Sequence, residues 1–79
     1  MSTSIRAGGQ LGPALRALRE GRGWSQTELG RRVGLSQERI STIERHPERI
    51  TVGQLLTVLM ALDSELLVAK RRPPPLGPW

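Results

Sequence analysis

Leu11, Leu15 and Leu18 recur at the three- and four-residue spacing that lines one face of a helix. They predict a first helix from Gln10 to about Glu20, with Arg16 and Arg19 facing away. Pro13 falls in the first turn, where its missing N–H costs little. Gly21 and Gly23 close this helix, and Trp24 is expected to fold into the core. The stretch 24–45, WSQTELGRRVGLSQERISTIER, then reads as two short helices joined by a tight turn. Ser25 caps the first, and Glu28 three residues on completes a capping box. Leu29 and Val33 share its apolar face. Gly34 suits the left-handed residue that ends a helix, and Leu35 follows as a buried plug. Ser36 caps the second helix, whose apolar stripe is Ile40 and Ile43. At about 100° per residue, the opposite side holds Glu38, Ser41, Thr42 and Arg45, with Gln37 at its leading edge.

Beyond Arg45, HPERI is a loop broken by Pro47, and Thr51 with Gln54 forms a further capping box. Leu55, Leu56, Val58, Leu59 and Leu62 predict a strongly apolar helix over about 52–63. It has more apolar surface than one face of so small a domain needs, so part of it is expected to pack on a second copy. In Ser64–Arg71 the pattern changes: Leu66, Val68 and Lys70 alternate with Leu67, Ala69 and Arg71, as in a strand. A lone strand cannot satisfy its own backbone. Its partner must be Ser2–Ala7 or the same segment of another chain, and dimer pairing also buries the extra leucines. Continuation of the helix is the alternative. The closing RPPPLGPW favours polyproline II. The expected division is a flexible arm over 1–9, one domain over 10–71, and a proline-rich tail over 72–79.

Seventy-nine residues allow one domain with a modest core. Twelve Lys and Arg against seven Asp and Glu give a formal charge of +5, which favours a polyanionic partner such as nucleic acid. There is no cysteine, so neither a disulfide framework nor a thiolate site is available. The single histidine, His46, cannot form a metal cluster alone, and no cofactor is expected. One His, no paired acid/base spacing and no glycine-rich phosphate loop argue against an enzyme. No apolar run approaches the roughly 18 residues of a membrane span, and the N-terminus has no signal-like apolar region. A cytoplasmic protein is the expectation.

A short helix presenting Gln, Ser, Thr and Arg, held by a rigid partner helix, suits a DNA major groove. Gln37 is the first choice for reading a base, since its amide can pair bidentately with adenine. Ser41 and Thr42 could reach bases, and Glu38 could accept from cytosine N4. Ser36 and Gln26 lie at helix N-termini, which favour phosphate. Arg45 and Arg49 are candidate phosphate contacts, whereas Arg31 and Arg32 fit a solvated face.

Gln26, Gly30, Gly34 and Ile40 stand where the phage-repressor (Cro/C1, or XRE) family has its Gln, small residue, Gly and Ile. The chain resembles that family, which implies a mostly α, four- to five-helix helix-turn-helix domain. From Gln10 to Ala69 it further resembles the HipB antitoxins, most tellingly in GWSQTELGRRVGLSQERIS and in the leucine-rich fourth helix before a short strand. That resemblance implies a homodimer whose C-terminal strands pair, with Leu59, Leu62, Leu66, Leu67 and Val68 near the two-fold. It also implies binding of double-stranded operator DNA, autorepression of a toxin–antitoxin operon, and neutralisation of a HipA-type serine/threonine kinase. Trp79 would either anchor that kinase from the tail or pack on its own dimer or stay as a solvated end. The rival reading is a stand-alone phage-type repressor without a toxin partner.

Overall fold

The computed structural model describes residues 3–70. Four α-helices and one 3₁₀ turn follow in chain order: α1 Gly8–Gly21, α2 Gln26–Val33, α3 Gln37–Arg45, the turn Pro47–Arg49, and α4 Val52–Ala61. The first helix starts two residues before Gln10. The Gln10 Oε1 reaches back to accept from the N–H groups of Arg6 and Ala7, at 2.6 and 3.0 Å, satisfying donors that the first turn leaves free.

The three predicted caps form. Ser25, Ser36 and Thr51 accept from the N–H of Glu28, Arg39 and Gln54 respectively, at 3.0–3.1 Å. The boxes do not close, because the return partners are engaged elsewhere. Glu28 binds Arg31 and Arg32, and Gln54 accepts from Arg39 Nη2, which ties α3 to α4. Gly34 ends α2 at φ 75° and ψ 29°, its N–H bonded to the Gly30 carbonyl, and Leu35 donates to the same carbonyl at 2.8 Å. A Cβ on Gly30 would run into the Leu35 carbonyl oxygen, so the turn folds back directly over that glycine.

The core joins Leu15, Leu29, Ile40, Ile43, Leu55, Val58, Leu59 and Leu62, with Leu11, Trp24, Val33, Leu35, Ile50 and Ala61 packed against it. Each fully buried aliphatic side chain contributes about 1.5–3 kcal/mol. Two expectations about α1 are corrected. Leu18 is 38% exposed, and Arg19, expected outside, is only 9% exposed. The reason lies at Gly12, where α1 crosses α3 so closely that a Cβ would strike the Glu44 carbonyl. That crossing centres the buried face on Gly12, Leu15 and Arg19 rather than on Leu18.

The end of α4 differs as well. The helix stops at Ala61, and Asp63 takes φ 55°, a left-handed conformation unusual outside glycine. The N–H of Ser64 then returns to the Leu59 carbonyl at 2.9 Å and that of Asp63 to Met60 at 3.0 Å. Helical termination of this kind excludes the alternative of a continuous helix. Residues 64–70 form neither helix nor strand in the single chain. The expected strand requires a neighbour, and an unpaired strand leaves its N–H and C=O groups without a ladder. Ser4, Ile5 and Arg6 line a cleft with Leu67, Val68 and Lys70, and no backbone hydrogen bond joins the two sides.

Candidate nucleic-acid interface

An SQ pair opens both α2 and α3, with the serine as cap and the glutamine as first helical residue. The tight turn at Gly34 brings these two N-termini to one edge, where Gln37 Nε2 donates to Gln26 Oε1 at 2.6 Å. Gln26 Nε2 in turn donates to Glu44 Oε1 at 3.1 Å. Behind it, Arg19 grips Glu44 with two bonds, Nε to Oε2 at 2.7 Å and Nη2 to Oε1 at 3.1 Å, and its Nη1 holds the Trp24 carbonyl at 2.8 Å. The side chains of Arg19 and Glu44 are 10% and 5% exposed. Hydrogen bonding to Glu44 holds the Arg19 guanidinium above its ordinary range, and this outweighs the opposing effect of burial. A continuous polar chain thus runs from the interior, Arg19–Glu44–Gln26–Gln37, and surfaces on the exposed edge of α3.

The structure brings together Gln26, Ser36, Gln37, Ser41 and Arg45. Gln37, Glu38 and Arg45 are exposed, while Ser41 and Thr42 are half-buried. Thr42 Oγ1 donates back to the Glu38 carbonyl at 3.1 Å, so its hydroxyl proton is engaged within the helix. Arg49 is exposed on the 3₁₀ turn, away from that edge in sequence. A shallow groove at the α1–α3 crossing is lined by Pro13, Arg16, Gln26, Ser41, Glu44 and Arg45. Arg16 thus lines the same groove as Arg45, although its position on α1 marks it only as outward-facing. Arg16 also pairs with Glu20 at 3.0 Å.

Arg19 and Glu44 were missed too. Glu44 sits about 20° from Gln37 on a helical wheel, between the reading face and the apolar stripe. Gly12 within α1 was the available signal that this face of the helix is pressed against a neighbour. Arg31 and Arg32 do lie on an exposed face: both pair with Glu28, and Arg32 also covers the Trp24 ring at 4.1 Å, with Arg22 at 4.8 Å.

The dimerisation candidates divide. Leu59 and Leu62 are 6% and 3% exposed and pack in the core of their own chain. Leu66, Leu67 and Val68 are exposed, as are Leu56 and Met60 on the outer side of α4. Trp79 lies outside the described residues. Among the described residues, no group of three or more His, Asp or Glu could hold a metal ion, and no helix is long and apolar enough to cross a membrane.

Two capped short helices joined through a left-handed glycine, the second with an open polar edge, define a helix-turn-helix protein. Residues 10–67 match the helix-turn-helix domain family, and the chain belongs to it. It is 33% identical over 54 residues to the antitoxin HipB of Escherichia coli K12, covering 68% of this chain and 61% of that one. It is 45% identical over 58 residues to the uncharacterised HTH-type transcriptional regulator y4dL of Sinorhizobium fredii, covering 73% of this chain but 30% of the regulator. The chain therefore spans less than two thirds of these relatives. Among solved structures, a HipA–HipB–O2–O3 complex matches with a TM-score of 0.82 at 27% identity, covering 90% of this chain and all of that one. A HipB–O1–O2 complex matches with a TM-score of 0.80 at 28% identity, covering 87% of this chain and all of the other.

Proposed function

We propose that this chain is a dimeric DNA-binding antitoxin: a cytoplasmic repressor of its own operon that also binds and neutralises a HipA-type kinase. The observation that carries the DNA part is the α3 edge, where Gln37 is exposed, anchored through Gln26, and flanked by Ser41 and Arg45. In this reading α3 enters the major groove, Gln37 reads a base, and Ser41 and the Thr42 methyl contact neighbouring edges. Ser36, Arg45 and Arg49 contact phosphate, joined by Arg16. A two-fold dimer places its two α3 helices about 34 Å apart, one turn of DNA. The kinase part is supported by the likeness to HipB in a HipA–HipB complex, and Trp79 is its proposed tail contact.

The test uses the full chain and duplexes carrying the inverted repeat upstream of its gene. Specific binding should weaken steeply as salt rises, because cations on phosphates release counterions. Gln37→Ala should relax one base position at a cost of about 1–3 kcal/mol. Equal binding of the variant and the parent to every operator variant would remove Gln37 from the reading set. The likeness to y4dL favours a second reading, a regulator without a toxin. Copurification of the tagged chain with the product of a neighbouring kinase gene separates the two, and truncation of Leu76–Trp79 tests the tail contact.

A further inference from the structure

We infer that Glu44, though it faces the interior, sets the base preference of Gln37 by fixing the amide polarity of two glutamines in series. The inference rests on the proposed DNA reading and names the residue that orients it.

A carboxylate only accepts, and both Glu44 oxygens are committed, Oε2 to Arg19 and Oε1 to Arg19 and Gln26. Gln26 must therefore turn Nε2 toward Glu44, since the reverse would set a carbonyl oxygen against a carboxylate. Gln26 Oε1 is then left to face α3, where Gln37 can meet it only with Nε2. One N–H of Gln37 is used in that contact. What remains outward is one N–H and Oε1, side by side.

That pair complements the adenine edge in the major groove, an N7 acceptor next to an N6–H donor. Guanine presents two acceptors, N7 and O6, and would oppose the Gln37 carbonyl. With the relay broken, the Gln37 amide is free to turn, and two donors can then reach guanine. Adenine selectivity is thus set two side chains inward, at Glu44. The bidentate Arg19 contact keeps the carboxylate in place, so Arg19 and Glu44 act as positioning residues.

The experiment selects binding sites for the full chain from a pool of duplexes with randomised half-sites, then compares duplexes differing only by A·T or G·C at the position that Gln37→Ala relaxes. Two variants break the relay. Gln26→Met leaves the Arg19–Glu44 pair intact. The double change Arg19→Met with Glu44→Met removes the buried pair and fills its space with apolar groups, a replacement that proteins often tolerate. If the double variant fails to fold, Gln26→Met decides alone. Both should lower the adenine-over-guanine ratio by about tenfold or more, while adenine-independent contacts persist. A uniform loss of affinity with the ratio intact would make Gln26 a phosphate contact and overturn the relay. An unchanged ratio in a variant where Gln37→Ala still abolishes it would overturn the relay and leave Gln37 as the reader. If no position responds to Gln37→Ala, the reading by Gln37 fails and the relay fails with it.

Discussion

Glycines in this chain do opposite things according to what a Cβ would meet. At Gly12 it would strike the Glu44 carbonyl at the α1–α3 crossing, whereas at Gly9 it would meet nothing. Gly12→Ala should therefore destabilise the domain by about 1–3 kcal/mol, as overpacking does. Gly9→Ala, within the same helix, should stabilise it by about 0.4–1 kcal/mol. Urea midpoints of the two variants measure both signs, and a stable Gly12→Ala would mean that the helices are not pressed together. The buried ion pair gives a second expectation. Glu44→Ala leaves the buried charge of Arg19 without its carboxylate, at a cost of about 3–5 kcal/mol. The pair was not legible in the sequence, because its members are 25 residues apart and their burial depends on where α1 crosses α3. Leu18 predicted one centre for the buried face of α1, and the backbone contact at Gly12 chose another.

The helices themselves were far more legible, since caps and apolar spacing act over three or four residues. Ser25, Ser36, Thr51 and Gly34 do locally what their chemistry prescribes. The return half of each capping box failed, because a long side chain has several partners within reach and nonlocal geometry decides among them. Glu28 shows the outcome. Its hydrogen bond to Arg31, then the charges of Arg31 and Arg32, hold its carboxyl below the ordinary range despite opposing desolvation. A depressed carboxyl contributes stability above its unfolded pKa and loses that contribution as pH falls through the lower folded value. Acidification should thus weaken α2 first at its N-terminal turn. Carboxyl carbon shifts of Glu28 followed by NMR against pH report the midpoint, which should move up toward the ordinary range in Arg31→Ala. No movement would remove Arg31 as the cause.

At the scale of the whole molecule, α4 separates folding from assembly. Leu55, Val58, Leu59 and Leu62 point into the core, while Leu56 and Met60 point out with Leu66, Leu67 and Val68 beyond them. The sequence showed that α4 carried surplus apolar surface, but not which leucines were surplus, since eight apolar residues among the eleven of Val52–Leu62 leave the inward face undefined. Val68→Glu or Leu67→Glu should dissociate the proposed dimer and leave the thermal stability of the monomer nearly unchanged. Leu59→Ala or Leu62→Ala should instead lower stability by about 2–5 kcal/mol. Sedimentation and thermal melts, read together, separate the two groups. Val68→Glu that remains dimeric would place the interface elsewhere.

The left-handed residue at Asp63 has a mechanical consequence. It is the pivot between a packed helix and the seven residues of 64–70, which at full extension reach roughly 23 Å. A rotation of only about 20° there would swing the far end of that arm by about 8 Å, more than the spacing between neighbouring strands of about 4.8 Å. In the proposed dimer the direction in which residues 64–70 leave each α4 would thus depend on one torsion angle, and Asp63→Gly would loosen the aim of the arm without changing any residue of 64–70.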